Sequence, residues 1–340
     1  MRSRLGGIRL IVCVWAFLLA VVLGMPARGA QLSADGAPNP DASVVNQQRL
    51  LQQGPRIEGR ITIPDSRAAV LIQPAGRRWT YFHEVTLHWL ASIVILGTII
   101  ALGAAYLAMG PLRISSGRSG RKIRRFTGFE RFSHWLTAAS FVVLALSGLN
   151  ITFGRIVLMP VIGADAFSSF SEAAKYVHNF VSFAFTIGLF LTVVIWVRDN
   201  IPSKLDVNWL RLGGGFIKSK HAPAGRFNAG EKMVFWFALG AGLAVIASGY
   251  TLLFPFYLTN IAGMQTAHVV HAVVAILFVA VILAHIYIGT LGTEGAFEAM
   301  WTGDVDLNWA TEHHDQWLQG ELAKQQLGGG PGPASPRPTE

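Results

Sequence analysis

Five stretches of this chain, near Val85 to Met109, Trp135 to Phe153, Val177 to Val197, Met233 to Phe254 and Ala267 to Leu291, contain no Asp, Glu, Lys or Arg. Each exceeds the roughly 18 apolar residues that a helix needs to cross a bilayer. In hydrocarbon every backbone N–H and C=O must find its partner within the protein, so such runs form helices rather than open strands. Composition agrees: of 340 residues, 52% are hydrophobic and 14% charged, against about 25% charged in an average soluble domain. No water-soluble surface can be made from that, and the expected fold class is an all-α membrane protein.

The charged residues lie between the runs. Arg113, Arg118, Arg121, Lys122, Arg124, Arg125 and Arg131 fill the first connection, and Arg198, Lys204, Arg211, Lys218, Lys220, Arg226 and Lys232 fill the third. The other two are poor in positive charge, so the basic pair is expected on the cytoplasmic side, with the chain starting outside and ending inside. The net charge of +9 is therefore an orientation signal, and no nucleic-acid partner is expected. Residues 1–30 carry Arg2, Arg4 and Arg9, an apolar run from Leu10 to Gly24, then Ala27 and Gly29 at a cleavage-like spacing. They read as a signal peptide or an uncleaved anchor, and both place residue 31 outside. The expected order is then a loosely ordered exported segment at 31–83, a transmembrane helix at 84–110, a bundle at 124–318 and a disordered tail at 319–340.

The single cysteine, Cys13, lies in the N-terminal apolar run. Disulfides, thiolate iron–sulfur clusters and CxxCH haem attachment are excluded, leaving histidine and carboxylate as ligands. Histidines inside membrane helices are functional candidates because burying them there is costly. From His271 to His285 is 14 residues, which returns to within about 40° of the same face and spans about 21 Å of helix axis. His268 is about 100° off that face and is the poorer candidate. The expected topology places His134 level with His285 near the cytoplasmic surface and His178 level with His271 near the outer one. Two depth-matched pairs are what bis-imidazole ligation of two haems requires. His83 and His88 have no matched partner and read as satisfied polar residues.

With those residues in view, the stretch from about Arg124 to Leu318 resembles the gamma subunit, the cytochrome b subunit, of respiratory formate dehydrogenase. The resemblance rests on Arg131-Phe-Ser-His-Trp135, Ala145-Leu-Ser-Gly148, Asn200-Ile-Pro-Ser-Lys204, Phe227-Asn-Ala-Gly-Glu-Lys-Met-Val-Phe-Trp236, His285-Ile-Tyr287 and Trp309-Ala-Thr-Glu-His-His-Asp-Gln-Trp317, in that order. It implies a four-helix haem-binding bundle, which makes the first span an addition. It assigns His178 and His271 to an outer haem b, His134 and His285 to an inner one, and quinone binding to the region of Asn228, Gly230, Glu231 and His285. Glu231 departs from the family pattern, where glutamine is expected. Asn228 and Glu231 also read as the N-cap and N3 residues of the fourth span, and the two roles are compatible.

The function this implies is electron transfer from an iron–sulfur beta subunit through two b haems to a membrane quinone, in the bacterial inner membrane. Formate would be oxidised on a separate molybdenum- or tungsten-containing alpha subunit. One rival is a cytochrome b serving another quinone-reducing dehydrogenase, such as uptake hydrogenase, because partner choice lies in the docking surface. The other is a haem-free anchor or transporter with packing histidines.

Overall fold

All five apolar runs are helices in the computed structural model, which describes residues 57–60, 70–73, 75–214 and 222–327. The expected signal or anchor at 1–30, most of the exported segment and residues 328–340 lie outside the described residues. Two short strands, β1 (Ile57–Arg60) and β2 (Val70–Gln73), pair antiparallel ahead of the first span. Helix α1 (Gly76–Tyr81) follows and runs through a π-helical turn at Phe82–Thr86 into the first span, α2 (Leu87–Met109). The helix thus begins before the expected boundary at 84. Arg78, Trp79, Tyr81 and His83 occupy this early part, side chains of the kind that sit comfortably at a membrane–water boundary.

The other four spans are α3 (Gly128–Val157), α5 (Ala164–Trp196), α7 (Ala229–Leu253) and α8 (Ile261–Tyr287). Short helices α4 (Met159–Ile162) and α6 (Lys204–Arg211) lie in the second and third connections. A further π-helical turn at Ile288–Gly292 ends α8. Then come α9 (Ala296–Trp301), strand β4 (Asp304–Asp306), α10 (Leu307–His313) and α11 (Asp315–Leu327). The last of these extends the ordered chain past residue 318, into part of the expected tail.

The spans pack as two hairpins, α3 with α5 and α7 with α8. Glycines set the closest approaches: a Cβ on Gly188 would lie 2.9 Å from the Thr137 backbone nitrogen, and one on Gly242 would lie 2.6 Å from a Leu189 methyl. Small residues at such crossings are how membrane helices gain close packing without a hydrophobic driving force. Phe185, Leu189, Ala241 and Phe278 form the core at mid-depth, with the Phe141 ring tilted against that of Phe278, centres 4.6 Å apart. Phe278 is seven residues from both His271 and His285, so this aromatic block lies between the two ends of α8.

The added span α2 lies against α8, burying Leu87 and Ala91 with Ile276, and His88 Nε2 meets the Thr152 carbonyl of α3 at 2.9 Å. At the other end, strand β3 (Lys122–Arg124) pairs antiparallel with β4. Together with α10 and α11 they cover a cluster of Phe126, Trp196, Phe227, Val305, Trp309 and Leu318. This cap closes the side where the basic connections enter and where α3 and α7 start.

Candidate functional site

Helix α8 carries one histidine of each pair, and the facing helices supply the others. His178 of α5 meets His271 with ring centres 6.2 Å apart, and His134 of α3 meets His285 at 6.3 Å. An imidazole nitrogen binds a metal at about 2 Å and the ring centre lies roughly 1 Å behind it, so two imidazoles facing across one metal have centres about 6 Å apart. Both pairs match that separation. All four residues expected as haem ligands are therefore brought together in the expected combinations.

The outer pair is held by its non-facing nitrogens. Ser147 Oγ donates to the Val143 carbonyl at 2.7 Å, so its remaining capacity is to accept, and His178 Nδ1–H donates to it at 2.8 Å. Ser248 Oγ likewise donates to Ala244 O at 2.6 Å, while His271 Nδ1 sits 3.2 Å from that hydroxyl and 3.1 Å from the Val245 carbonyl. A carbonyl only accepts, so His271 Nδ1 carries the proton. Each ring thus presents Nε2 as a lone pair, the arrangement by which outer partners fix a metal-ligating histidine. Gly148 and Gly249 make room: a Cβ there would lie 3.5 and 3.1 Å from the Cε1 atoms of His178 and His271. In the inner pair, His134 Nδ1 is buried and has no hydrogen-bond partner among the described residues.

The helix starts beneath the inner pair have matching construction. At α3, Thr127 is the N-cap and Glu130 completes a capping box; at α7, Asn228 and Glu231 do the same. The capping reading of Asn228 and Glu231 is thus borne out. Two arginines cross between them. Arg125 Nη2 donates to Glu231 Oε1 at 2.9 Å and to the Arg226 carbonyl at 3.0 Å, while Arg226 donates to Glu130 Oε1 at 2.5 Å and to the Arg125 carbonyl at 3.4 Å. Arg125 is sandwiched by Phe126 and Trp309, at 5.1 and 5.0 Å from their ring centres. Burial lowers its pKa, against the raising effect of Glu231.

Sequence reasoning missed these arginines and serines, although the chain carries the signal. A spacing of 101 residues separates Arg125 from Arg226, Phe126 from Phe227, Glu130 from Glu231, Trp135 from Trp236, and Ser147-Gly148 from Ser248-Gly249. The two hairpins are an internal repeat. His178 and His271, on the second helix of each, are seated by the equivalent Ser-Gly steps. His134 has Phe235 at the repeat-related position, so the inner pair is not symmetric.

The sequence pattern of the prokaryotic cytochrome b561 family matches residues 125–303, just over half of the chain. The chain belongs to this family. It is 29% identical over 201 residues to the formate dehydrogenase cytochrome b556(fdo) subunit of Escherichia coli (strain K12), covering 58% of this chain and 92% of that protein. The nitrate-inducible cytochrome b556(Fdn) subunit of the same organism is 28% identical over 205 residues, covering 58% and 91%. The formate dehydrogenase cytochrome b556 subunit of Haemophilus influenzae (strain ATCC 51907 / DSM 11121 / KW20 / Rd) is 26% identical over 217 residues, covering 62% and 87%. The resemblance read from the sequence motifs stands, and this is a membrane cytochrome b whose family implies haem b.

The remaining membrane histidines of the cytochrome lie outside the two pairs. His268 faces the added span, with its ring 5.2 Å from His83 and 5.7 Å from Trp79. His83 therefore does have a histidine neighbour, contrary to expectation, because helical phase identifies the face of α8 that His268 occupies but not the helix that covers it. His83 also pairs with Glu84 at 3.1 Å.

Proposed function

We propose that this cytochrome carries two b haems, one held by His178 and His271 and one by His134 and His285, and passes electrons through them to a membrane quinone as the membrane subunit of a formate dehydrogenase. The observation that carries the reading is the recurrence, at both ends of α8, of two imidazoles with centres near 6.2 Å. Haem iron supplies one-electron transfer at each pair. The protein's own part is to orient the rings, to fix Nε2 of the outer pair through Ser147 and Ser248, and to insulate the two positions with Phe141, Phe185 and Phe278.

The names of the relatives support the choice of formate dehydrogenase over a hydrogenase and a complex with other formate dehydrogenase subunits; an iron–sulfur subunit and a molybdenum- or tungsten-containing subunit are the partners proposed for it. Formate would give up two electrons and a proton in becoming carbon dioxide, and the quinone would take two electrons and two protons to become quinol. The distribution of Lys and Arg supports an inner-membrane protein with its C-terminus in the cytoplasm. Asn228, Gly230, Glu231 and His285 are proposed as the quinone site, supported by the α7 start, where the capping box takes the N–H groups of Asn228 and Glu231 and leaves those of Ala229 and Gly230 without an intrahelical partner to meet a quinone carbonyl.

Purification of the tagged chain from its native membrane, with identification of what copurifies and a pyridine haemochrome assay, tests the proposal. Two b haems per chain with a formate dehydrogenase catalytic subunit are expected. Copurification of a hydrogenase large subunit would overturn the partner, and absence of haem would overturn the whole reading in favour of an anchor or transporter.

A further inference from the structure

The repeat gives the cytochrome two equivalent helix starts, and they differ in how far they are closed. At α3, Glu130 takes Arg226 and also the indole of Trp196, whose Nε1 donates to Oε1 at 2.9 Å, and its side chain is 9% exposed. At α7, Glu231 Oε2 accepts from the Asn228 N–H at 2.8 Å and Oε1 takes Arg125, yet the side chain keeps 37% exposure. Its partner is the opposite. The Arg125 side chain is 1% exposed, Trp309 and Trp317 lie 5.0 and 5.8 Å from its guanidinium carbon, and Nε and Nη1 make no hydrogen bond among the described residues. His314 Nδ1 donates to the Gly225 carbonyl at 3.0 Å, which leaves Nε2 without a proton in the neutral ring, 3.7 Å from Glu231 Oε2.

We infer that Arg125, reaching across from the other repeat, is the positioning residue of the quinone site: a guanidinium locked under the Trp309–Trp317 cap holds Glu231 at the open helix start. The inference rests on the quinone reading above. The planar guanidinium meets both Glu231 and the Arg226 carbonyl while stacking on aromatic rings, which a lysine ammonium cannot reproduce. The fixed cation also lies one carboxylate away from the α7 N–H groups, where negative charge grows as a quinone is reduced. The C-terminal tail thereby becomes part of the site without touching the quinone.

The test uses the intact complex, assayed for formate-dependent reduction of decylubiquinone and of menadione. Arg125→Lys keeps the charge and is expected to raise the quinone KM about tenfold, in the range of directly contacting residues, with kcat within about twofold and both haem spectra unchanged. Arg226→Lys, the equivalent change at the closed start, is expected to lower thermal stability and leave KM unchanged. Should Arg125→Lys fail to assemble, Trp317→Leu loosens the same cage and is expected to shift KM in the same direction by less. Asn228→Ala reports on the quinone reading itself. If it raises KM while Arg125→Lys and Trp317→Leu do not, Arg125 is only a strap between hairpins. An equal rise in KM from Arg226→Lys also overturns the inference, by showing general loosening. If none of the variants moves KM, the quinone reading falls first.

Discussion

The outer and inner histidine pairs have nearly the same ring separation but are held in different ways. His178 and His271 each lie on the second helix of a repeat against its Ser-Gly step, so each receives the same kind of seat, a serine hydroxyl already committed to its own helix and a glycine beside it. His134 and His285 come from non-equivalent places, and His134 Nδ1 has no such anchor. Duplication has thus built the symmetric seat of the His178–His271 pair, and a departure from symmetry has built the His134–His285 pair. The less constrained pair lies toward the end where the open helix start is.

The sharpest way to break this comparison is to remove one ligand at a time. His178→Ala or His271→Ala should abolish the outer haem and leave the inner one, and His134→Ala or His285→Ala should do the reverse, as read by the amplitude of two resolved α-bands in redox titration. Loss of both haems from each variant would mean that the pairs are not separate centres.

A smaller effect separates the two seats. Ser248→Ala removes the hydroxyl through which α7 holds His271 of α8, and outer partners of metal-ligating histidines are typically worth about 10–100-fold in affinity or activity. The outer haem should lose affinity and shift in midpoint potential and low-spin EPR signal, while the inner haem keeps both. Ser147→Ala should match it if the repeat is functionally symmetric. An equal shift of the inner haem would dissolve the distinction.

The cap gives a pH-dependent effect of smaller size. Burial first, then the charge of Arg125 with a lesser contribution from His313, holds His314 well below the usual imidazole pKa, against the opposing bond to Gly225 O. Glu231 faces it from α7. The folded state therefore binds fewer protons than the unfolded one, so stability is present above the unfolded pKa of about 6.5 and is lost as pH falls below it. Between pH 7.5 and 5.5 the melting temperature followed by tryptophan fluorescence should drop by about 3 °C more in the unaltered protein than in His314→Gln. His314→Gln should flatten that dependence. The smallest effect expected is from His268→Ala, which should keep both haems and change only how firmly α2 rests on α8.

Much of this was legible in the sequence, and the parts that were not share a physical reason. Apolar run length locates a membrane helix because the bilayer imposes it, and a 14-residue step fixes that His271 and His285 share a face because helix geometry is regular. Asn228 and Glu231 could be read as a cap because that interaction is local. The Arg125–Glu231 and Arg226–Glu130 crossings span about a hundred residues in sequence, so no helical period within one span points to them. Ser147 and Ser248 look like ordinary membrane serines bonding to their own helix until the neighbouring helix places an imidazole against each. His83 has no matched partner in the sequence pattern because its neighbour, His268, is set by where an added helix docks. Only the 101-residue repeat could have suggested the arginine crossings and the serine seats from sequence.

The most direct test of the account is a haem count on the purified chain combined with a redox titration. Two low-spin b haems per chain are predicted, titrating as separate components, with His271→Ala removing one and His285→Ala the other. One haem per chain, or none, would contradict the reading of the two histidine pairs as two centres.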